Sequence, residues 1–94
     1  MLYPFLSNGR YEIAFSDIQK MDGINQIRIY AEEPWPGHFE FKTLEFYIPS
    51  GKLTKLIGYN EDEQKKIFDL ALKNQEMLFR KAREYKKEGM NGIR

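Results

Sequence analysis

The chemistry available to this chain centres on its single histidine. His38 is followed two positions later by Glu40, and residues two apart on an extended strand project from the same face. A histidine beside a carboxylate can act as a general base or bind a metal. Two ligands are too few for a zinc site made by the protein, which needs three or four. We therefore expect a surface histidine with a cross-strand partner, and catalysis by His38 and Glu40 is the alternative.

The remaining reactive groups do not form a recognisable constellation. The chain has no cysteine, which excludes disulfides, thiolate zinc sites and cysteine nucleophiles. No serine lies in a Gly-x-Ser-x-Gly elbow, and one histidine alone is present to activate a hydroxyl. Gly51-Lys52 lacks the flanking residues of a Walker phosphate loop. The sequence predicts no cofactor and no metal, and it favours a protein without catalysis.

Basic residues gather near the C-terminus, although 15 basic and 14 acidic residues nearly cancel over the whole chain. They are Arg80, Lys81, Arg83, Lys86 and Lys87. Together with exposed aromatic rings, such residues can hold single-stranded nucleic acid. Cations at the end of a helix also compensate its dipole, and we prefer this explanation. The balanced net charge gives no general reason to bind nucleic acid or an anionic membrane.

Residues 60–88 carry the pattern of one long amphipathic helix. Asn60 and Glu63 form a capping-box pattern at its start, and Gly89 is suited to close its end. At helical spacing, one apolar sector faces the core, formed by Ile67, Ala71, Leu78, Ala82 and Tyr85. The sector is wide, so the apolar residues on its flank are predicted to bind a partner. These are Phe68, Leu72 and Phe79.

Alternation of apolar and polar residues predicts the sheet. Segments 10–16 and 24–32 each place apolar residues on one face, and we expect a turn over 17–23. Segment 38–48 also alternates, but the parity of its apolar residues changes near Lys42-Thr43, which predicts a bulge or a tight turn. Residues 53–57 then return antiparallel to 44–48. Residues 1–8 form a short edge strand or a strap over the core.

Together these patterns predict a single α+β domain. An antiparallel sheet of four to five strands occupies residues 1–59, one long C-terminal helix packs on one face over 60–88, and a short tail follows in 89–94. The N-terminus lacks the charged and apolar regions of a signal peptide, and no apolar run approaches the roughly 18 residues that span a bilayer. We expect a cytoplasmic protein that does not enter a membrane.

Residues 27–85 resemble a family of small bacterial domains of unknown function that are often encoded in toxin–antitoxin-like gene pairs. The landmarks are Pro36-Gly37-His38-Phe39-Glu40-Phe41 and Gly51-Lys52-Leu53. That family commonly has His-x-His where this chain has His38-x-Glu40, and a glycine turn where this chain has Lys42-Thr43. The resemblance implies a sheet followed by a C-terminal helix, and a role as one member of such a pair.

The composition favours a small intracellular protein-interaction or regulatory module. Tyr30 and Tyr47 on the outer face of the sheet, and Trp35 in the proline loop, are predicted to bind a protein partner or a second copy of the chain as a homodimer. An edge strand is a further candidate surface. The alternative is a nucleic-acid-binding or RNA-cleaving component of a toxin–antitoxin type pair, with His38 and the basic residues as its working groups.

Overall fold

A computed structural model of the protein describes residues 2–87, without the side chain of Lys87. Five strands are followed by two helices: β1 Leu2–Ser7, β2 Glu12–Met21, β3 Ile24–Glu33, β4 Lys42–Ile48, β5 Leu53–Ile57, α1 Glu61–Lys73 and α2 Gln75–Lys87. The strands form one antiparallel sheet in the order β1-β2-β3-β4-β5. The predicted α+β class and antiparallel sheet are therefore confirmed. The predicted tail, 89–94, lies outside the described residues.

The second strand is longer than the alternation predicted. We expected it to stop at residue 16, but β2 continues to Met21 because a bulge lies between Phe15 and Ile18. The Ser16 hydroxyl oxygen accepts the Arg28 N–H at 2.9 Å and donates to the Asp17 carbonyl at 2.8 Å. These bonds satisfy polar groups in the bulge. The side chains of Phe15 and Ile18, on either side of the bulge, both point to the inner face of the sheet.

The fourth strand is shorter than the alternation predicted. Residues 38–41 belong to the connection after β3, and β4 begins only at Lys42. The change of parity near Lys42-Thr43 therefore marks the start of a strand, and neither a bulge nor a tight turn occurs there. Phe39 and Phe41 alternate like strand residues in sequence, yet both are exposed.

The C-terminal region forms two helices, where one long helix was predicted. The capping box is present as expected, since the Asn60 side chain accepts the Glu63 N–H and the Glu63 carboxylate accepts the Asn60 N–H, both at 2.9 Å. The interruption occurs at Asn74, whose φ of −107° and ψ of 15° leave the helical region. Its side-chain amide donates to the Leu70 carbonyl at 2.8 Å. Asparagine favours helix ends because its side chain competes for backbone groups in this way.

One face of the sheet is buried beneath the two helices. The predicted helix sector continues across Asn74, and Ile67, Ala71, Leu78 and Ala82 are buried, while Tyr85 is half-buried. The sheet contributes Tyr3, Ile13, Phe15, Ile27, Ile29, Ala31, Leu44, Phe46 and Ile48. Under α2, the ring centroids of Tyr3 and Tyr85 lie 4.8 Å apart. The core is thus a single layer between sheet and helices.

Leu78→Ala is expected to lower the free energy of unfolding by about 2–5 kcal/mol, the usual loss when a buried leucine is truncated. Leu78 is fully buried between α2 and the sheet. Urea unfolding followed by circular dichroism measures the change. The control Glu76→Ala, at an exposed position of α2, should shift stability by no more than about 0.5 kcal/mol. Equal midpoints for Leu78→Ala and wild type would show that Leu78 is not part of the core.

Candidate interaction site

The connection from β3 to β4, residues 34–41, is rich in aromatic residues and is called the aromatic loop. The His38 ring stacks on the Trp35 ring, with centroids 3.6 Å apart and an interplanar angle of 14°. The His38 N–H donates to the Trp35 carbonyl at 3.0 Å and closes a turn. Gly37 has a φ of +85°, a conformation that glycine adopts without strain. Ring stacking and the turn hydrogen bond therefore fix the shape of the aromatic loop.

The aromatic loop presents two phenylalanine rings to solvent. Phe39 is fully exposed, and Phe41 is 50 % exposed. Phe41 also lines an open groove of about 270 Å³ beside Arg10, Glu12 and Glu32. The apolar surface of the Phe39 ring therefore gains no burial from the fold itself. The ring is available for contact with another molecule.

His38 and Glu40 do not form the predicted strand pair. Both lie in the aromatic loop and are exposed, and His38 has Trp35 as its ring neighbour. The expected cross-strand partner of His38 is therefore replaced by a neighbour within its own loop. Among residues 2–87, no group of three or more His, Cys, Asp or Glu side chains is arranged to hold a metal ion.

An ion cluster anchors the base of the aromatic loop. Lys42 Nζ lies 2.8 Å from Glu63 Oε2 and 4.0 Å from Glu33 Oε2. Arg10 Nε lies 3.6 Å from the same Glu33 oxygen. The Lys42 side chain is only 13 % exposed, so water screens this cluster less than it screens surface pairs. The cluster joins the end of β3, the start of β4 and the first turn of α1.

Tyr59 lies beneath this cluster. Lys42 Nζ is 4.9 Å from the centroid of the Tyr59 ring. The Tyr59 hydroxyl is buried without a hydrogen-bond partner among the described residues, and burial raises its pKa, as do the nearby carboxylates of Glu33 and Glu63. The adjacent open cleft encloses about 190 Å³, below the roughly 300–1,000 Å³ of typical small-molecule sites. We therefore assign the cluster a structural role.

Gly58 lets Trp35 and Lys42 pack against the connection between β5 and α1. A Cβ at Gly58 would lie 2.8 Å from Lys42 Cγ and 3.1 Å from Trp35 Cζ3. The residue also has a φ of +82°. Both observations require glycine at this position. Trp35 is thus held between His38 in its own loop and the backbone at Gly58.

The two predicted tyrosines lie on the sheet face that points away from the helices. Tyr30 and Tyr47 are half-buried there. Between them, Arg28 Nη1 lies 3.5 Å from Glu45 Oε2, and the Tyr47 hydroxyl donates to Gln19 Oε1 at 3.4 Å. Trp35 belongs to the aromatic loop, so the structure does not place the three aromatic rings on one set of strands. The outer face of the sheet is polar and internally bonded.

The helix flank is partly used by the fold itself. Phe68, Leu72 and Phe79 are half-buried and pack against the core. The Phe68 ring meets Phe46 edge to face, with centroids 5.4 Å apart. The more exposed large apolar residues lie elsewhere, and they are Leu2, Ile24, Phe39, Phe41, Leu53 and Leu56.

The basic residues lie on α2, far along the helices from the aromatic loop. Arg80 Nε is 3.9 Å from Glu84 Oε2, one turn away. Lys81 is half-buried, and Arg83 and Lys86 are exposed. The structure does not bring these residues together with His38, which lies near the first turn of α1, or with the tyrosines, which lie on the opposite face of the sheet.

No protein-family model, no curated protein and no solved structure matches this chain. Within residues 2–87, neither helix has the length and apolar character needed to cross a membrane.

The ion cluster makes a pH-dependent contribution to stability. The pKa of Glu63 lies below its ordinary value of 4.5 because Lys42, and then the Asn60 N–H, donate to its carboxylate. A carboxyl group with a lowered folded-state pKa stabilises the fold above its unfolded pKa, and this contribution is lost as pH falls through the folded value. Glu63→Gln should therefore be less stable than wild type at neutral pH, and the difference should shrink below pH 4.5.

Urea unfolding at a series of pH values measures this difference. In a Lys42→Met background, Glu63→Gln should change the pH dependence less, because the principal hydrogen-bond donor is gone. A stability difference that stays constant from neutral pH into the acid range would contradict the assigned role of Glu63.

Proposed function

We propose that this protein is a protein-interaction module whose aromatic loop docks into a partner protein. The full exposure of Phe39 next to the stacked Trp35 and His38 rings carries the proposal. Burial of one phenyl ring in a partner would contribute roughly 1.5–3 kcal/mol. Because the loop is already shaped by the Trp35–His38 stack, binding costs less conformational entropy than it would for a flexible segment. Such anchors often dominate the energy of an interface.

The surroundings of the loop favour a protein partner with an apolar pocket bordered by basic groups. Glu40 follows Phe39 directly, and Glu12 and Glu32 line the groove beside Phe41. Arg10 also lines this groove but is paired with Glu33, so the three carboxylates outnumber the cations and disfavour an anionic membrane surface or the phosphates of nucleic acid. The basic residues of α2 do not line this groove, and Arg83 and Lys86 lie beside Ile18 instead. Nucleic-acid binding or cleavage with His38 is therefore the less favoured alternative.

Phe39→Ser is expected to weaken partner binding while leaving the folded protein intact. The side chain is fully exposed, so the melting temperature should stay within error of wild type. Affinity purification with quantitative mass spectrometry should identify a protein that wild type retains and Phe39→Ser loses, and titration with that purified protein should show at least a tenfold weaker Kd.

The matched control is Ile24→Ser, which removes an exposed apolar side chain at the opposite end of β3. It should retain the same protein as wild type. Binding of that protein with equal affinity by Phe39→Ser and wild type would contradict a docking role for the aromatic loop.

A further inference from the structure

A second apolar surface lies at the free edge of the sheet, on β5. This strand pairs with β4 alone, so its other edge carries backbone groups with no partner strand among the described residues. Such an edge can pair with a strand from another chain. Residues 53–56 of β5 are all exposed.

A bulge in β5 brings two leucines to the same face. Leu53 pairs with Phe46 and Leu56 pairs with Leu44, although residues three apart on a regular strand would project from opposite faces. Thr54 and Lys55 both take the outer face, where the Thr54 hydroxyl donates to Glu45 Oε1 at 3.0 Å. The helix-facing side of the edge is therefore apolar and uncharged.

These leucines remain uncovered by the rest of the fold. Leu53 is 48 % exposed and Leu56 is 42 % exposed. Leu53 borders an open groove of about 310 Å³ whose apolar lining also includes Leu44, Phe46 and Phe68. Helix α1 lies over β4, and its Phe68 ring packs on Phe46 and borders the groove at Leu53 without covering either leucine of β5. The apolar layer of the core is thus open on this side.

We infer that the β5 edge pairs antiparallel with the β5 edge of a second copy of this chain, with Leu53 opposite Leu56 of the other copy. In this register Thr54 stands opposite Lys55. Every pair then joins residues on the same face, leucine with leucine on the helix side and threonine with lysine on the outer side. No residue stands opposite itself, so the two Lys55 side chains do not face each other directly.

The spacing of the strands and helices supports a second copy of the chain as the partner of β5. In the paired sheet, two β4 strands would be separated by three inter-strand spacings, about 14 Å. Packed helices lie about 8–10 Å apart, so the two α1 helices would leave a gap between them. Leu53, Leu56 and Phe68 of both copies would border that gap.

The other edge of the sheet is less suited to pairing. Strand β1 contains Pro4, which has no N–H to donate to a partner strand. Leu2 is the one large apolar side chain of β1 that is exposed. Pairing is therefore assigned to β5 rather than to β1.

The five-residue strand makes a small interface, below the roughly 1,200 Å² of stable complexes, so the dimer should be weak and concentration-dependent. This inference stands apart from the proposed function, because β5 and the aromatic loop use different residues. A dimer would present two aromatic loops and so raise the apparent affinity for a partner with two binding pockets.

A charge substitution at Thr54 tests the register. Thr54→Glu would place a carboxylate opposite Lys55 of the other copy, and Thr54→Lys would place a like charge there. Because the contact occurs twice, sedimentation equilibrium should show a dimer Kd lowered by Thr54→Glu and raised by Thr54→Lys, each by about 2- to 30-fold. Within one copy, the two substitutions should have the opposite effects on stability, because Glu45 repels the new glutamate and attracts the new lysine.

Cross-linking gives a second test, because the chain has no cysteine of its own. A mixture of Thr54→Cys and Lys55→Cys proteins should form disulfide-linked dimers in excess of either variant alone. Phe39→Ser, as the matched control, should leave the dimer Kd unchanged. Wild-type protein that sediments as a monomer at every concentration would overturn the inference, and so would equal cross-linking in the mixed and separate samples.

Discussion

The requirement to bury one face of the sheet beneath the helices governs the rest of the structure. Three strands contain a bulge, and each bulge separates two apolar residues that are three positions apart. The pairs are Tyr3 and Leu6 in β1, Phe15 and Ile18 in β2, and Leu53 and Leu56 in β5. Without the bulge, one member of each pair would point to the outer face. An extra residue therefore restores the inward direction at a small cost in ladder hydrogen bonds, and it increases the local twist that lets the sheet follow the helices.

The end of the sheet that carries the aromatic loop is held by electrostatics and packing together. Lys42 contacts carboxylates from β3 and α1, while Tyr59 fills the space beneath its ammonium group. Gly58 leaves room for Trp35, which in turn supports His38. The histidine that seemed the best chemical group in the sequence is thus a stacking partner. Its neighbour Phe39 has no such contact. His38 therefore supports the loop, while Phe39 forms its exposed tip.

The sequence predicted those features that depend on neighbouring residues. The Asn60–Glu63 cap, the buried helix positions, the inward residues of β3 and the pairing of β5 with β4 are all found in the structure. The errors have different causes. The predicted single helix is interrupted at Asn74, where the side chain bonds locally to the Leu70 carbonyl. Phe39 and Phe41 alternate as a strand would, but no strand is available to pair with them. The length of β2 depends on a bulge. The ion cluster joins Arg10, Glu33, Lys42 and Glu63, which are far apart along the chain, so local sequence patterns did not predict their contact.

Asn74 caps the C-terminal end of α1. The Asn74 backbone N–H and side-chain amide both donate to the Leu70 carbonyl, and the Asn74 carbonyl accepts the Leu78 N–H that opens the next helix. Helix α1 therefore has a capping residue at each end, Asn60 and Asn74. Helix α2 covers Tyr3 and Phe15 through Tyr85, while α1 packs on β4 beside the ion cluster. The aromatic loop therefore lies at the part of the sheet that α1 covers, and the two helices share the cover of one core.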